Sequence, residues 1–169
     1  MQVPVLSVVG FANSGKTTFL EGLLPELGRL GIKVAVFKHH GHEDSLGVDA
    51  VGKDTWRLSQ AGAEPVGLVQ GNSVTLHYRL NETATPQDLA ALVSGVDLVI
   101  TEGFKRAANP KIEIWRHADQ KEPACAGDPF LIALVTNRRS EQEVPVFALD
   151  DYRGVARFVV DYFALKQGD

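Results

Sequence analysis

A mostly parallel α/β sheet flanked by helices, of the P-loop NTPase type, is the fold class that this 169-residue sequence predicts, and three observations predict it. The first is Gly10-Phe-Ala-Asn-Ser-Gly-Lys-Thr17, set between the apolar run Val3–Val9 and a stretch of helical period. The second is a later apolar run, Asp97 to Gly103, closed by Glu102 and a glycine. The third is that the main apolar runs are nearly continuous, the pattern of strands covered on both faces in a parallel sheet.

The stretch Gly10–Thr17 is a complete P-loop, and its spacing has a mechanical reason. Gly10 and Gly15 let the backbone turn tightly with its N–H groups pointing inward, so that a phosphate sits among several donors of the loop, Asn13 and Ser14 included. Lys16 then reaches the outer phosphates as a point charge, and the Thr17 hydroxyl ligates a magnesium ion that bridges two phosphate oxygens. Thr18 is placed for a further phosphate contact. Phe19, Leu20, Leu23, Leu24, Leu27 and Leu30 recur at the spacing of a helix burying one stripe, so the phosphates meet a helix N-terminus.

The length suits a single domain over residues 1–169 with a β-hairpin extension at about 65–80, and 44% hydrophobic content supplies a substantial core. A net charge of −4 without a long Lys/Arg run argues against nucleic acid or anionic lipid as partners. The single cysteine, Cys125, forms no internal disulfide and fits a reducing compartment. The first apolar run breaks at Gly10, Asn13 and Lys16, well short of the ~20 residues of a membrane span, so a cytoplasmic protein is expected.

Val3–Val9 is expected as a central strand, and after a stop at Gly31 a second strand of the same buried type covers Lys33–Phe37. Lys38-His-His-Gly-His42 follows on the rim that carries the P-loop. His39 and His42 offer metal ligands, although no third ligand at a recognisable spacing accompanies them, and the loop, His40 included, otherwise contacts an anionic ligand or is solvated. A helix from about Asp54, with Trp56 and Leu58 for packing, places Lys53 and Arg57 four apart on one face, solvated or turned to a ligand. Pro65–Gln70 and Val74–Leu80 form a hairpin around Gly71-Asn72-Ser73, with Val74, Leu76, Tyr78 and Leu80 on its apolar face.

Thr85 and Pro86 begin a helix ending near Gly95. In the strand that follows, Asp97 and Glu102 lie about 16 Å apart at about 3.3 Å per residue. The P-loop sits at the carboxyl end of its own strand, so Glu102 is the better candidate for the magnesium. Lys105 and Arg106 offer charge near Glu102, and Lys111–Arg116 is an alternating strand. Phe130–Val135 ends in Thr136-Asn137-Arg138-Arg139, where Asn137 is either a base contact or a plain loop asparagine. Val146–Leu149 reads as a short strand, and Tyr152–Leu165 as a closing helix with Val155, Phe158, Val159 and Tyr162 inward.

Taken in order, GFANSGKTTF, VAVFKHHGH, GKDTWRLSQAGA, DLVITEGFK and the strand from Pro110 to Ile114 resemble the MobB family of molybdopterin-guanine dinucleotide biosynthesis adapter proteins. The resemblance implies a homodimeric, GTP-binding protein with weak GTPase activity at most. It would assist the MobA transferase in attaching GMP to molybdopterin, with GTP and magnesium as cofactors. It would put the phosphate site at Gly10–Thr18, with Thr17 and Glu102 toward magnesium; Lys38, His39, His40, His42, Lys53, Arg57 and Lys105, polar residues outside the apolar stripes, are the candidates for a pterin or partner contact. The Lys and Asp of the usual guanine motif are missing after Thr136, so guanine preference rests on the resemblance. A small-molecule kinase and a metal-insertion GTPase using the three histidines are the alternatives.

Overall fold

The computed structural model describes residues 2–39, 52–79, 84–116 and 122–168. They fall into two compact units, Met1–His39 with Thr85–Asp169, and His40–Ala84.

The first unit holds the strands β1 (Val5–Val9), β2 (Val34–Lys38), β5 (Leu98–Glu102), β6 (Lys111–Ile114), β7 (Leu131–Val135) and β8 (Val146–Phe147). They form one sheet in the order β2-β5-β1-β6-β7-β8, with every neighbouring pair parallel. The strand order reverses at β1, which therefore opens a crevice at its carboxyl end.

Helices α1 (Lys16–Arg29) and α4 (Tyr152–Tyr162) share one core with Leu6, Val8, Ile100, Ile112, Ile114 and Val135 of the sheet. Residues of the other parity face the opposite way: Val5 and Val99 pack with α3 (Pro86–Ala91), and Val9 and Leu134 with Cys125. Period-2 burial on both faces is why these strands read as continuous apolar runs. The start of α3 is as expected, a capping box between Thr85 and Asp88 with Pro86 at the first position. It ends at Ala91, short of Gly95.

Two expectations about buried faces are corrected, and a third element is buried more than its pattern suggests. β2 is an edge strand, and Val36 on it is exposed, because among the described residues of this unit nothing pairs beyond it. On α4, Ala156 and Val160 are buried beside Val155 and Val159 while Tyr162 is exposed: the stripe is centred one position away from Tyr162. β6 alternates in sequence, yet both its faces are covered and Lys111 and Glu113 are fully buried.

Burying those charges requires partners. Lys111 Nζ donates to the carbonyls of Lys105 (3.1 Å) and Ala107 (2.8 Å) and to Asp128 (2.7 Å). The Glu113 carboxylate accepts from the backbone N–H groups of Ala124 (2.6 Å) and Cys125 (2.8 Å). Burial raises the Glu113 pKa against the pull of those two donors, and burial beside Glu113 pushes the Cys125 thiol up to about 11. Cys125 is thus an inert thiol. The loop between β5 and β6 crosses the sheet without a helix, and the buried Ser7, Thr101 and Asn109 satisfy one another beneath it.

In the second unit α2 (Asp54–Gln60) precedes a two-stranded antiparallel sheet of its own, β3 (Val66–Gln70) and β4 (Ser73–His77), turned at Gly71 and Asn72. α2 buries none of its residues, and Leu58 is exposed, contrary to expectation. The register pairs Val69 with Val74 and Gly67 with Leu76, so Val69, Val74 and Leu76 share one face. That apolar face is exposed in the single chain, Val69 by 70% and Val74 by 63%.

Candidate functional site

The loop from Gly10 to Gly15 leaves β1 and enters α1 at the strand-order reversal. Gly10 has φ +142°, and a Cβ there would stand 2.5 Å from the Ile114 carbonyl oxygen, so only glycine fits. Gly15 (φ +89°) and Asn13 (φ +58°) supply the left-handed turns. Gly15 caps α1 without a side chain, and the first turn holds no acidic residue. The first N–H groups of a 14-residue helix are therefore left for an anion.

Four cations surround this loop. Lys16 Nζ donates to the Phe11 carbonyl (2.7 Å), and Lys105 Nζ lies 6.0 Å from the centre of the Phe11 ring. Arg116 brings a guanidinium nitrogen to 3.4 Å from the place of a Gly15 Cβ. Burial lowers the Lys16 pKa, with Lys38 and Lys105 adding to the shift and Glu102 opposing it. A phosphate among these groups would relieve that repulsion.

β1 and β5 are neighbours, so the last residue of β5 comes to the start of α1. Thr17 Oγ1 donates to Glu102, at 2.9 and 3.0 Å from its two carboxylate oxygens. Lys38, paired with Glu102 across β2 and β5, sets its ammonium 3.2 Å from Thr17 Oγ1 and 3.3 Å from Glu102 Oε1. The hydroxyl and carboxylate thus already draw a cation between them, and hard oxygen donors of this kind fit magnesium. Among the described residues no cluster of three His, Cys, Asp or Glu gathers. When bound, the metal would neutralise phosphate charge. Asp97 stands at the other end of β5, where its carboxylate accepts from the Lys33 N–H at 2.8 Å.

The His39 ring packs against Phe104, 4.7 Å between centres, while His40 and His42 lie outside the described residues. Lys53 and Arg57 belong to the second unit, where both are exposed and Arg57 lies 3.9 Å from Asp54. Asn137 is exposed after β7, and the neighbouring Arg138 stacks over Trp115 at 4.3 Å.

On the side of β1 away from Glu102 a cleft of about 260 Å³ opens next to the loop, lined by Ser14, Gly15, Thr18, Arg116, Asp150 and Tyr152 among others. The sequence singled out neither Arg116 nor Asp150 of this lining. Two consecutive acids, Asp150 and Asp151, before a helix were the available signal: one suffices as the cap, and Asp151 takes that role by accepting from the Gly154 N–H at 2.9 Å. A larger hollow of about 440 Å³, with Glu26, Arg29 and Arg157, lies at the far end of α1, roughly 18 Å along the helix from Thr17 at 1.5 Å per residue.

The fold and this geometry define a P-loop NTPase-like α/β protein. Residues 5–137 match the family model of the molybdopterin guanine dinucleotide synthesis protein B, and the chain belongs to that family, MobB. It is 34% identical over 166 residues to the molybdopterin-guanine dinucleotide biosynthesis adapter protein of Haemophilus influenzae, covering 95% of this chain and 90% of that one. Among solved structures, a molybdopterin-guanine biosynthesis protein B superposes with a TM-score of 0.71 at 26% identity, covering 94% of this chain and 99% of that one. Bacillus subtilis MobB superposes with a TM-score of 0.68 at 30% identity, covering 94% and 96%.

Proposed function

We propose that this chain is a nucleotide-dependent adapter in molybdopterin-guanine dinucleotide biosynthesis. It binds GTP with magnesium at Gly10–Thr18, Thr17 and Glu102, and assists a MobA-type guanylyltransferase in attaching GMP to molybdopterin. The observation that carries the reading is the uncapped N-terminus of α1 with Thr17 held beside Glu102, in a member of a family whose relatives are named as adapters of this biosynthesis. Hydrolysis is weak at most. Phosphoryl transfer needs a positioned water and positive charge at the developing oxygens. Arg116, the arginine placed near the loop, follows β6, on the side of β1 away from the Thr17–Glu102 pair.

Lys38 of the first unit and, separately, Lys53 and Arg57 of the second are each contacts for the anionic pterin or the transferase. The test is dinucleotide formation by the transferase with limiting GTP, with and without this protein. Wild type is expected to raise the yield, and Lys53→Ala to lower that gain several-fold with GTP affinity unchanged. Hydrolysis by the isolated protein on the order of 10 per second, an ordinary enzyme's rate, would overturn the adapter reading.

The protein acts as a homodimer joined through the β3–β4 hairpin. Val69, Val74 and Leu76 form an exposed apolar face, and each such side chain gains about 1.5–3 kcal/mol on full burial. Light scattering at micromolar concentration is expected to give a dimer for wild type and a monomer for Val74→Lys.

A further inference from the structure

We propose that Asp150 is the residue that selects guanine over adenine, with the base seated in the cleft between the phosphate loop and the start of α4. The inference rests on the nucleotide-binding reading above and deepens it: the usual guanine motif is degraded after Thr136, and Asn137 does not line this cleft.

The cleft has the polarity of a nucleotide. Its floor is the loop itself, with Ser14, Gly15 and Thr18, and Arg116 stands over Gly15 at that cationic end. Its opposite wall is the β8–α4 junction, where Asp150 brings a carboxylate into the same space. The Asp150 carboxylate is exposed and is not the cap of α4, a role that Asp151 takes. The Ser14 hydroxyl, 1% exposed, also lines the cleft and has no hydrogen-bond partner, a buried polar group that a ligand would satisfy. The wall is held rigidly: the Tyr152 ring packs 5.5 Å from that of Phe19 and lies so close over Gly22 that a Cβ there would meet it at 2.5 Å.

Guanine presents two adjacent donors on its edge, N1–H and the 2-amino group, and a carboxylate accepts both. Adenine turns an acceptor, N1, toward the same place and is repelled. A hydrogen bond to a charged group corresponds to about 10- to 100-fold in affinity. Asn at position 150 keeps one acceptor and gains a donor, which suits xanthine, whose 2-carbonyl replaces the 2-amino group.

The experiment measures dissociation constants by calorimetry for GTP, ATP and xanthosine triphosphate, with magnesium, on the full chain as wild type, Asp150→Asn and Lys16→Ala. Wild type is expected to prefer GTP over ATP by at least about 10-fold. Asp150→Asn is expected to lose most of that preference and to bind xanthosine triphosphate more tightly than wild type does, a gain that a merely structural change would not produce. Equal affinity of wild type for GTP and ATP overturns the proposal, as does an unchanged GTP:ATP ratio in Asp150→Asn. In either case, binding that Lys16→Ala removes leaves the phosphate-site reading standing. Failure of wild type to bind any of the three overturns both.

Discussion

Lys16→Ala is expected to weaken GTP binding by about 100-fold or more, without change in the unfolding midpoint. Lys16 opens α1, and its ammonium rests on the Phe11 and Gly10 carbonyls, not in the apolar core, so its removal costs the fold little. What it costs the ligand is larger, because hydrogen bonds from a cation to phosphate contribute about 1.5–3 kcal/mol each and Lys16 would make more than one. Calorimetry with and without magnesium checks this and separates the two acids at the ends of β5, Asp97 just before it and Glu102 closing it. Glu102→Gln should remove most of the magnesium enhancement. Asp97→Asn should leave it intact, since Asp97 is spent on the Lys33 N–H at the far end of the strand. An unchanged dissociation constant in Lys16→Ala would refute the phosphate site, and a larger loss in Asp97→Asn would refute the metal placement.

Asp128→Asn is expected to destabilise the protein by about 1–3 kcal/mol, measured by urea unfolding at neutral pH, less than a fully buried ion pair would cost because the Asp128 side chain is partly exposed. The reason lies with its partner: Lys111 is 1% exposed, and without Asp128 its ammonium keeps only two backbone carbonyls and an amide oxygen. Those carbonyls, of Lys105 and Ala107, belong to the loop that follows Glu102, so the same substitution loosens the chain next to the metal position. Burial alone would raise the Asp128 pKa. The bond from Lys111, the Phe130 N–H and the Lys111 charge outweigh it, and the net shift is downward. The sign follows: a depressed folded pKa contributes stability that is present above the ordinary aspartate value of about 3.9 and lost as pH falls through the folded value. Wild type should therefore lose stability in acid below about pH 4, and Asp128→Asn should lose less over that window. A midpoint identical to wild type at pH 7 would show that Lys111 does not need its partner.

The sequence by itself determined what is local. A glycine demanded by a positive φ, a lysine and threonine one step further on, an apolar run closed by Glu102 and the Thr85 cap each depend on neighbours a few residues away, and each was legible. So was the position of Glu102, and not Asp97, beside the loop, because strand direction and the rise per residue settle which end of the strand comes to Thr17. Tertiary structure alone decided which alternating strand is buried on both faces. Lys111 and Glu113 alternate with Ile112 and Ile114 in the sequence, and only the carbonyls of the β5–β6 loop, Asp128 and the amides of Ala124 and Cys125 make their burial tolerable. It also decided the far wall of the cleft. Arg116 and Asp150 are 34 residues apart in the chain and join Ser14 and Thr18 only because β6 and β8 lie on the same side of β1 with parallel direction. Hydrophobic period and turn chemistry act over one element at a time, whereas a site at a strand-order reversal is assembled from loops whose proximity is a property of the sheet.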